Sequence, residues 1–137
     1  MSKSYSGLFN TPVSLSPTNV RYSQNSVNGS QEIIDSMREK GWAGPPIDVV
    51  MMDDSRLTSM DNTRLVAANE VGINVKAVVH KYDDRLTPAE VKRFTTKKGV
   101  PQTWGEAIKL RLQKQASSWR KDHPYGAYHM DKNKRKR

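Results

Sequence analysis

Apolar residues near the start of this chain recur at the spacing of a helix. Ile33, Ile34 and Met37 fall on one helical face, and polar side chains separate them. Ser30 is an N-cap residue type, and Gly41 follows the last periodic position. We therefore predict an amphipathic helix that Ser30 caps and Gly41 ends.

A different pattern predicts strands further along. Residues 47 to 52 and 74 to 80 are rich in β-branched side chains, which are favoured in strands. In the second segment Val75, Ala77 and Val79 alternate with Lys76 and Val78, which suits a half-buried strand. Both segments are therefore predicted strands of one sheet.

Two capping boxes predict helices in the second half of the chain. Thr87-Pro88-Ala89-Glu90 opens a predicted helix that runs through Phe94. Thr103-Trp104-Gly105-Glu106 opens the next, within one long helical pattern and a basic tail over residues 101 to 137. Buried positions of that pattern are predicted at Ile108, Leu110, Leu112 and Trp119. The order of elements suits an α+β or α/β arrangement. We take α+β as the fold class, with a small mixed β-sheet, packed helices, a C-terminal helix and a basic tail.

Length and composition suit one domain. The chain has 137 residues, and we predict a linker-like N-terminus over residues 1–12, a single domain over residues 13–122 and a basic tail over residues 123–137. No apolar run approaches the roughly 20 residues that span a bilayer, and the N-terminus lacks a hydrophobic secretory segment. Because there is no cysteine, disulfides and thiolate zinc sites are excluded.

Positive charge is concentrated at the C-terminal end. Residues 1–108 carry 13 basic and 12 acidic side chains, a net charge of +1, whereas residues 109–137 carry 10 and 2, a net charge of +8. Cations interleaved with an indole suit a nucleic-acid backbone, and they also suit an acidic protein surface or a solvated tail. The residues concerned are Lys109, Arg111, Lys114, Trp119, Arg120, Lys121 and the run from residue 132 to residue 137.

A polar corner at residues 61 to 64 precedes an amphipathic helix. Asp61 and Asn62 are strong N-cap types, so the first turn presents free N–H groups at the positive end of the helix dipole. Arg64 adds a planar fork that suits phosphate. The corner therefore predicts an anion site, although the same residues suit an ordinary helix cap.

The corner also offers the groups that phosphodiester cleavage requires. Arg64 would bind phosphate, and Asp61 would act as general base or as ligand of a divalent metal such as magnesium. Asn62 and Thr63 would donate hydrogen bonds. His80, at the end of a predicted strand, is a candidate general acid or base, and a lone histidine also fits a structural position. No spacing of histidines predicts a zinc site.

The order of these segments resembles the N-terminal domain of the ParB/sulfiredoxin superfamily over roughly residues 13 to 80. The shared pattern runs from a proline-containing strand with a downstream arginine, through a helix ending in glycine, to a corner whose helix ends in Gly-Ile. The resemblance implies that a loop with Arg21, Ser23 and Gln24 folds over the corner and contacts the substrate.

Two departures from that family restrict the function. Asp61 stands where the family usually has glycine, and Asn62 stands where sulfiredoxins carry their cysteine. Sulfiredoxin chemistry is therefore excluded, because the chain has no thiolate nucleophile. Residues 101 to 137 predict no helix-turn-helix of the kind found in partition proteins, so a role in chromosome partition is not predicted.

Two motifs extend the resemblance to a narrower group. Ser-x-Asp-Asn-x-Arg-Leu-x-Ala-Ala begins at Ser59, and Thr-Trp-Gly-Glu-Ala-Ile begins at Thr103. Both are similar to ParB-like modules at the C-terminal ends of bacterial polymorphic toxins, the cargo of contact-dependent inhibition, Rhs and type VI systems. Candidate substrate-binding residues are Ser59 and Trp104 in these motifs and Lys109, Arg111 and Lys114 of the basic end, although Trp104 also suits helix packing.

The toxin resemblance implies an antibacterial nuclease that acts on DNA, or on RNA. It would be secreted as part of a larger effector, would act in the cytoplasm of a target cell and would be held in check by an acidic immunity protein. Two other classes of function stay open. The corner suits a nucleotide-binding or phosphoryl-transfer domain, since relatives hold ATP or CTP phosphates there, and the basic end suits a non-catalytic nucleic-acid-binding module.

Overall fold

The computed structural model describes residues 9–130 and contains a five-stranded mixed sheet. Its strands lie in the order β1-β5-β3-β4-β2. The β1/β5 and β3/β4 pairs are antiparallel, whereas the β3/β5 and β2/β4 pairs are parallel. The strand bounds are Pro12–Leu15 for β1, Val20–Arg21 for β2, Ile47–Met51 for β3, Leu57–Ser59 for β4 and Val75–Lys81 for β5.

Five α-helices accompany the sheet in the described part of the chain. They are α1 at Ser30–Lys40, α2 at Asn62–Val71, α3 at Pro88–Phe94, α4 at Trp104–Gln113 and α5 at Ser117–Asp122, with a short 3-10 helix at Pro17–Asn19. The predicted α+β class, a small mixed sheet with packed helices, is confirmed. Over residues 9–130, no helix is both long enough and apolar enough to cross a membrane.

The core has two parts, one on each face of the sheet. Successive residues of a strand point to opposite faces, and Val49 and Val50 of β3 accordingly belong to different clusters. Val49 packs with Leu65 and other residues of α1 and α2. Val50 packs with Ile108 and other residues of α3 and α4. Helices therefore cover both faces, and the corner before α2 lies where the two parts meet.

Local signals placed the starts of α3 and α4 correctly, directly after Thr87 and Thr103, and the start of α1 one residue off. The Thr87 capping box is present, with both reciprocal hydrogen bonds, and α3 ends at Phe94 as predicted. The prediction that Ser30 caps α1 is wrong, because Ser30 is the first helical residue and Gly29 is the N-cap. Gly29 lies in the left-handed region with φ 72°, where glycine is favoured.

The prediction of one long C-terminal helix is also wrong, because this segment forms two helices, α4 and α5. Ala116 is extended, with ψ 144°, and separates the two helices. The Gln115 side chain accepts a hydrogen bond from the backbone N–H of Asn25 at 3.1 Å. This break lets Trp119 fold back and pack against the α4 side of the core.

Both ends of the described chain pair with the sheet or its flanks. Phe9 forms a bridge with Val79, and so precedes β1 in contact with β5. Ala127 pairs with Tyr22 through backbone hydrogen bonds of 2.7 and 3.1 Å. The remainder of the predicted linker and of the predicted basic tail, residues 1–8 and 131–137, lies outside the described residues.

Candidate functional site

The corner between β4 and α2 is held by its own side chains. The Ser59 hydroxyl accepts from the backbone N–H of Asp61 and donates to its carbonyl oxygen, both at 2.9 Å. Asp61 is the N-cap of α2, and its Oδ1 accepts from the backbone N–H of Arg64 at 3.0 Å. The predicted cap is thus confirmed, and it fixes the direction in which the first turn of α2 points.

Arg64 is anchored on three sides. Its Nε donates to Asp61 Oδ2 at 2.8 Å, and its Nη1 donates to the carbonyl oxygen of Pro45 at 2.6 Å. The guanidinium also lies over the Trp42 ring, 5.1 Å from its centroid. These contacts orient the guanidinium, and Nη2 has no acceptor among residues 9–130. Arg64 Nε occupies Asp61 Oδ2 and the Arg64 backbone N–H occupies Oδ1, so both carboxylate oxygens of Asp61 are engaged.

Asn62 faces the protein interior and clamps the loop after β2. Its Oδ1 accepts from the Ser23 backbone N–H at 2.7 Å, and its Nδ2 donates to Ser23 Oγ at 3.0 Å and to Gln24 Oε1 at 2.9 Å. Ser23 Oγ in turn donates to the Ser59 carbonyl oxygen at 2.7 Å. Both amide hydrogens of Asn62 are therefore engaged, and its side chain is only 2% exposed.

A cleft of about 420 Å³ opens beside the corner, and we call it the corner cleft. Three arginines line it, Arg64 from α2, Arg93 from α3 and Arg111 from α4. The carboxylates of Asp48 and Asp61 line it too, as do Gln24, Asn62, Thr63 and Phe94. Because guanidinium groups are matched to phosphate in geometry and charge, the arrangement can hold an anion.

Arg111 is a half-buried member of this group. Burial lowers its pKa from the ordinary value, the Asp61 carboxylate opposes that change, and the nearby Arg93 charge adds to it. The group stays protonated, because an arginine side chain does not lose its proton in proteins. Its Nη1 donates to Gln24 Oε1 at 3.2 Å, so the amide that accepts from Asn62 also positions Arg111.

Asp48 connects the corner cleft to His80. Their strands are parallel neighbours, and His80 Nε2 lies 2.9 Å from Asp48 Oδ1. The imidazole stacks on the Trp104 indole, with centroids 3.7 Å apart and planes within 10°. Trp104 also contacts Phe94, which lines the cleft. His80 is thus fixed by a carboxylate on one side and an indole face on the other.

Arg21 does not line the corner cleft. It is 5% exposed and donates to both oxygens of Asp54, at 2.6 and 2.9 Å. It also donates to Thr58 Oγ1 and to the carbonyl oxygen of Arg56. The Arg21 hydrogen bonds are the main reason that the pKa of Asp54 lies below its ordinary value, and burial partly opposes them. Arg21 therefore forms a structural ion pair with Asp54.

The other predicted residues fall into three places. Ser23 and Ser59 are buried under the corner. Lys109 does not line the cleft, and its ammonium lies over the rings of Tyr82 and Tyr125. Lys114 lines a smaller neighbouring cavity of about 160 Å³. Over residues 9–130, no group of three or more acidic, histidine or cysteine side chains is placed to hold a metal, so the magnesium predicted at Asp61 stays a prediction.

Two charged residues of the cleft, Asp48 and Arg93, were not singled out from the sequence. Asp48 is the one charged residue in the apolar strand Ile47–Met51, which is a usable signal because buried carboxylates need partners. Arg93 gives no such signal, since a basic residue in the last turn of a helix also serves the helix dipole. Only the packing of α3 against the sheet brings it to the cleft.

Comparisons with known proteins bear on the backbone fold alone. No model of a known protein family matches the chain, and no curated protein matches it. Among solved structures it is similar to sulfiredoxin from Arabidopsis thaliana, with 22% identity and a TM-score of 0.44 over 53% of this chain and 86% of that one. It is also similar to protein Atu1540 from Agrobacterium tumefaciens, with 13% identity and a TM-score of 0.40 over 69% of this chain and 59% of that one. Similarity at this level assigns neither a ligand nor an activity.

Proposed function

We propose that this chain is a nuclease domain that holds a phosphodiester in the corner cleft and hydrolyses it, with DNA as the favoured substrate and RNA as the alternative. The supporting observation is that Arg64, Arg93 and Arg111 come from three different helices and line one cleft. Like charges held close together repel one another, so a bound phosphate stabilises the group. The first turn of α2 adds backbone N–H donors on the same side.

The roles of the acidic residues follow from their contacts. Both oxygens of Asp61 are engaged by Arg64, so in this proposal Asp61 orients the phosphate-binding arginine. Asp48 lines the cleft and is backed by His80. The Asp48–His80 pair is therefore the general base for the attacking water, and the arginines stabilise the charge that develops on the phosphoryl oxygens.

The biological setting in the proposal rests on the sequence motifs and on the charge distribution. The motifs that begin at Ser59 and Thr103 resemble polymorphic-toxin modules. The proposed domain is secreted as part of a larger effector and acts in the cytoplasm of the target cell. An acidic immunity protein would associate rapidly with the basic end, where residues 109–137 carry a net charge of +8.

The purified chain should cleave plasmid DNA or total RNA, and the test compares Arg64→Ala with wild type. We expect a loss of activity on the order of a hundredfold or more in a chain that keeps its fold by circular dichroism, and only partial recovery in Arg64→Lys. Arg38→Ala is the matched control, because Arg38 is exposed on α1 and lies 3.9 Å from Asp35 alone. Expression in a bacterium should arrest growth, and co-expression of the neighbouring reading frame should relieve the arrest.

Absence of cleavage with and without Mg²⁺, together with no growth arrest at any expression level, would refute the nuclease proposal. Equal loss of activity in Arg38→Ala and Arg64→Ala would contradict the assignment of the corner cleft as the site of cleavage. Relief of arrest by an unrelated acidic protein would contradict a cognate immunity partner.

A mononucleotide-binding domain is the second candidate, and the size of the cleft favours it. A volume of about 420 Å³ falls within the range of small-molecule sites. Calorimetry with ATP and CTP separates the two candidates. Binding of either nucleotide without any cleavage of nucleic acid would favour the second. Binding of nucleic acid alone, with no turnover, would instead leave a non-catalytic binding module.

A further inference from the structure

A second, smaller cavity of about 160 Å³ adjoins the corner cleft, and we call it the side cavity. The two share part of their walls, since Gln24, Met60, Arg93, Phe94 and Arg111 line both. Arg93 and Arg111 therefore stand between the two spaces. Beyond them the side cavity is lined by Lys114, Thr95 and Thr96.

The two cavities differ in charge. The corner cleft has two carboxylates, Asp48 and Asp61, among its lining residues. The side cavity has three cations and no carboxylate among the described residues that line it. Within residues 9–130, neither Arg93 nor Lys114 forms a salt bridge. This uncompensated positive charge is the feature that an anionic ligand would neutralise.

The walls of the side cavity strengthen such an interaction. Phe94 and Met60 are 5% and 7% exposed and form an apolar wall beside the cations. Arg111 is half-buried, whereas Arg93 and Lys114 are exposed, so burial strengthens an ion pair to Arg111 more than one to the other two. Gln24 accepts from Arg111 at 3.2 Å and from Asn62 at 2.9 Å. The same amide therefore ties the orientation of Arg111 to the corner, and the two cavities are held in a fixed relation.

We infer that the side cavity is a second phosphate subsite, formed by Lys114 together with Arg93 and Arg111, so that the domain takes a nucleic-acid strand by two consecutive phosphates. This inference rests on the proposed function and adds the path of the bound segment across the two cavities. The strand runs from Arg64 at the corner to Lys114 at the end of α4. Positively charged grooves of this kind follow the backbone of single strands and read little sequence.

The test compares one-phosphate and two-phosphate ligands on the full chain. Thymidine 5′-monophosphate offers a single phosphate, and 5′-phosphorylated dithymidine offers two in succession. In Lys114→Gln we expect about tenfold weaker binding of the dinucleotide with unchanged binding of the monophosphate. The log-log salt dependence for the dinucleotide should fall by roughly 0.7, the value for one lost contact to a single strand.

Lys92→Gln is the matched control, because Lys92 is exposed on α3 beside Arg93 and lines neither cavity. It should bind both ligands like wild type. Equal weakening of both ligands in Lys114→Gln, or no change in either, would overturn the second subsite while Arg64→Ala still tests the first. If wild type binds neither ligand, the inference fails, whereas the proposed function fails only if the chain also cleaves no nucleic acid and arrests no growth. Lys114 is exposed, so the variant should fold normally.

Discussion

Replacing Asn62 with alanine tests whether this residue serves the fold or the substrate directly. The sequence suggests a hydrogen-bond donor to phosphate, whereas the structure directs the amide inward. It accepts from the Ser23 N–H at 2.7 Å and donates to Ser23 Oγ and Gln24 Oε1 at 3.0 and 2.9 Å. We therefore expect Asn62→Ala to destabilise the fold and to loosen the loop that covers the corner.

The magnitude follows from which partners would be left without a hydrogen bond. Ser23 Oγ would still donate to the Ser59 carbonyl oxygen, and Gln24 Oε1 would still accept from Arg111. The buried Ser23 N–H would lose its acceptor, which costs about 1–3 kcal/mol. The other two hydrogen bonds were worth about 1 kcal/mol each, and part of that returns through their remaining partners. The free energy of unfolding should therefore fall by about 2–3 kcal/mol.

Urea denaturation followed by circular dichroism measures this difference. Asn74→Ala is the control, since Asn74 is exposed and makes one hydrogen bond, to Ser14 Oγ at 3.1 Å. It should change the free energy of unfolding by less than about 0.5 kcal/mol. A double-mutant cycle with Ser23→Ala should show coupling, because the two side chains share a hydrogen-bond network. If Asn62→Ala unfolds like wild type and yet loses activity, the inward-facing role is wrong.

Two further predictions concern stability. Asp54→Asn should lower the free energy of unfolding by about 1–2 kcal/mol at pH 7, less than for a fully buried pair because the carboxylate is partly exposed, whereas Asp53→Asn, at an exposed position, should not. Because the folded-state pKa of Asp54 is lowered, its contribution is present above the unfolded value of about 3.9 and is lost as the pH falls through the folded value. Urea titrations at decreasing pH measure this loss, and a difference that does not shrink as the pH falls below about 3.9 would contradict it. Gly105→Ala should cost about 1–3 kcal/mol, because a Cβ there would overlap the Tyr82 ring, and calorimetry should show a lower melting temperature; an unchanged or higher one would refute the close packing.

The sequence by itself determined the elements that depend on neighbouring residues. A capping box needs only the four residues from Thr87 to Glu90, and it starts α3 where predicted. The alternation of Val75, Ala77 and Val79 marks the buried side of β5. Asp61 and Arg64 contact each other because residues three positions apart lie on the same side of a helix. Such signals act within about one turn, so they can be read along the chain.

Only the tertiary structure decided which side chains meet across elements. Arg93 and Arg111 reach the corner cleft because α3 and α4 pack on the sheet face opposite α1 and α2. Arg21 instead pairs with Asp54, and the Asn62 side chain faces inward to Ser23, 39 residues away in the chain. Periodicity and capping fix the backbone over short spans, but a side chain finds its partner through the packing of distant segments. For that reason the corner was predictable, whereas the arrival of Asp48 and Arg93 in the cleft around it was not.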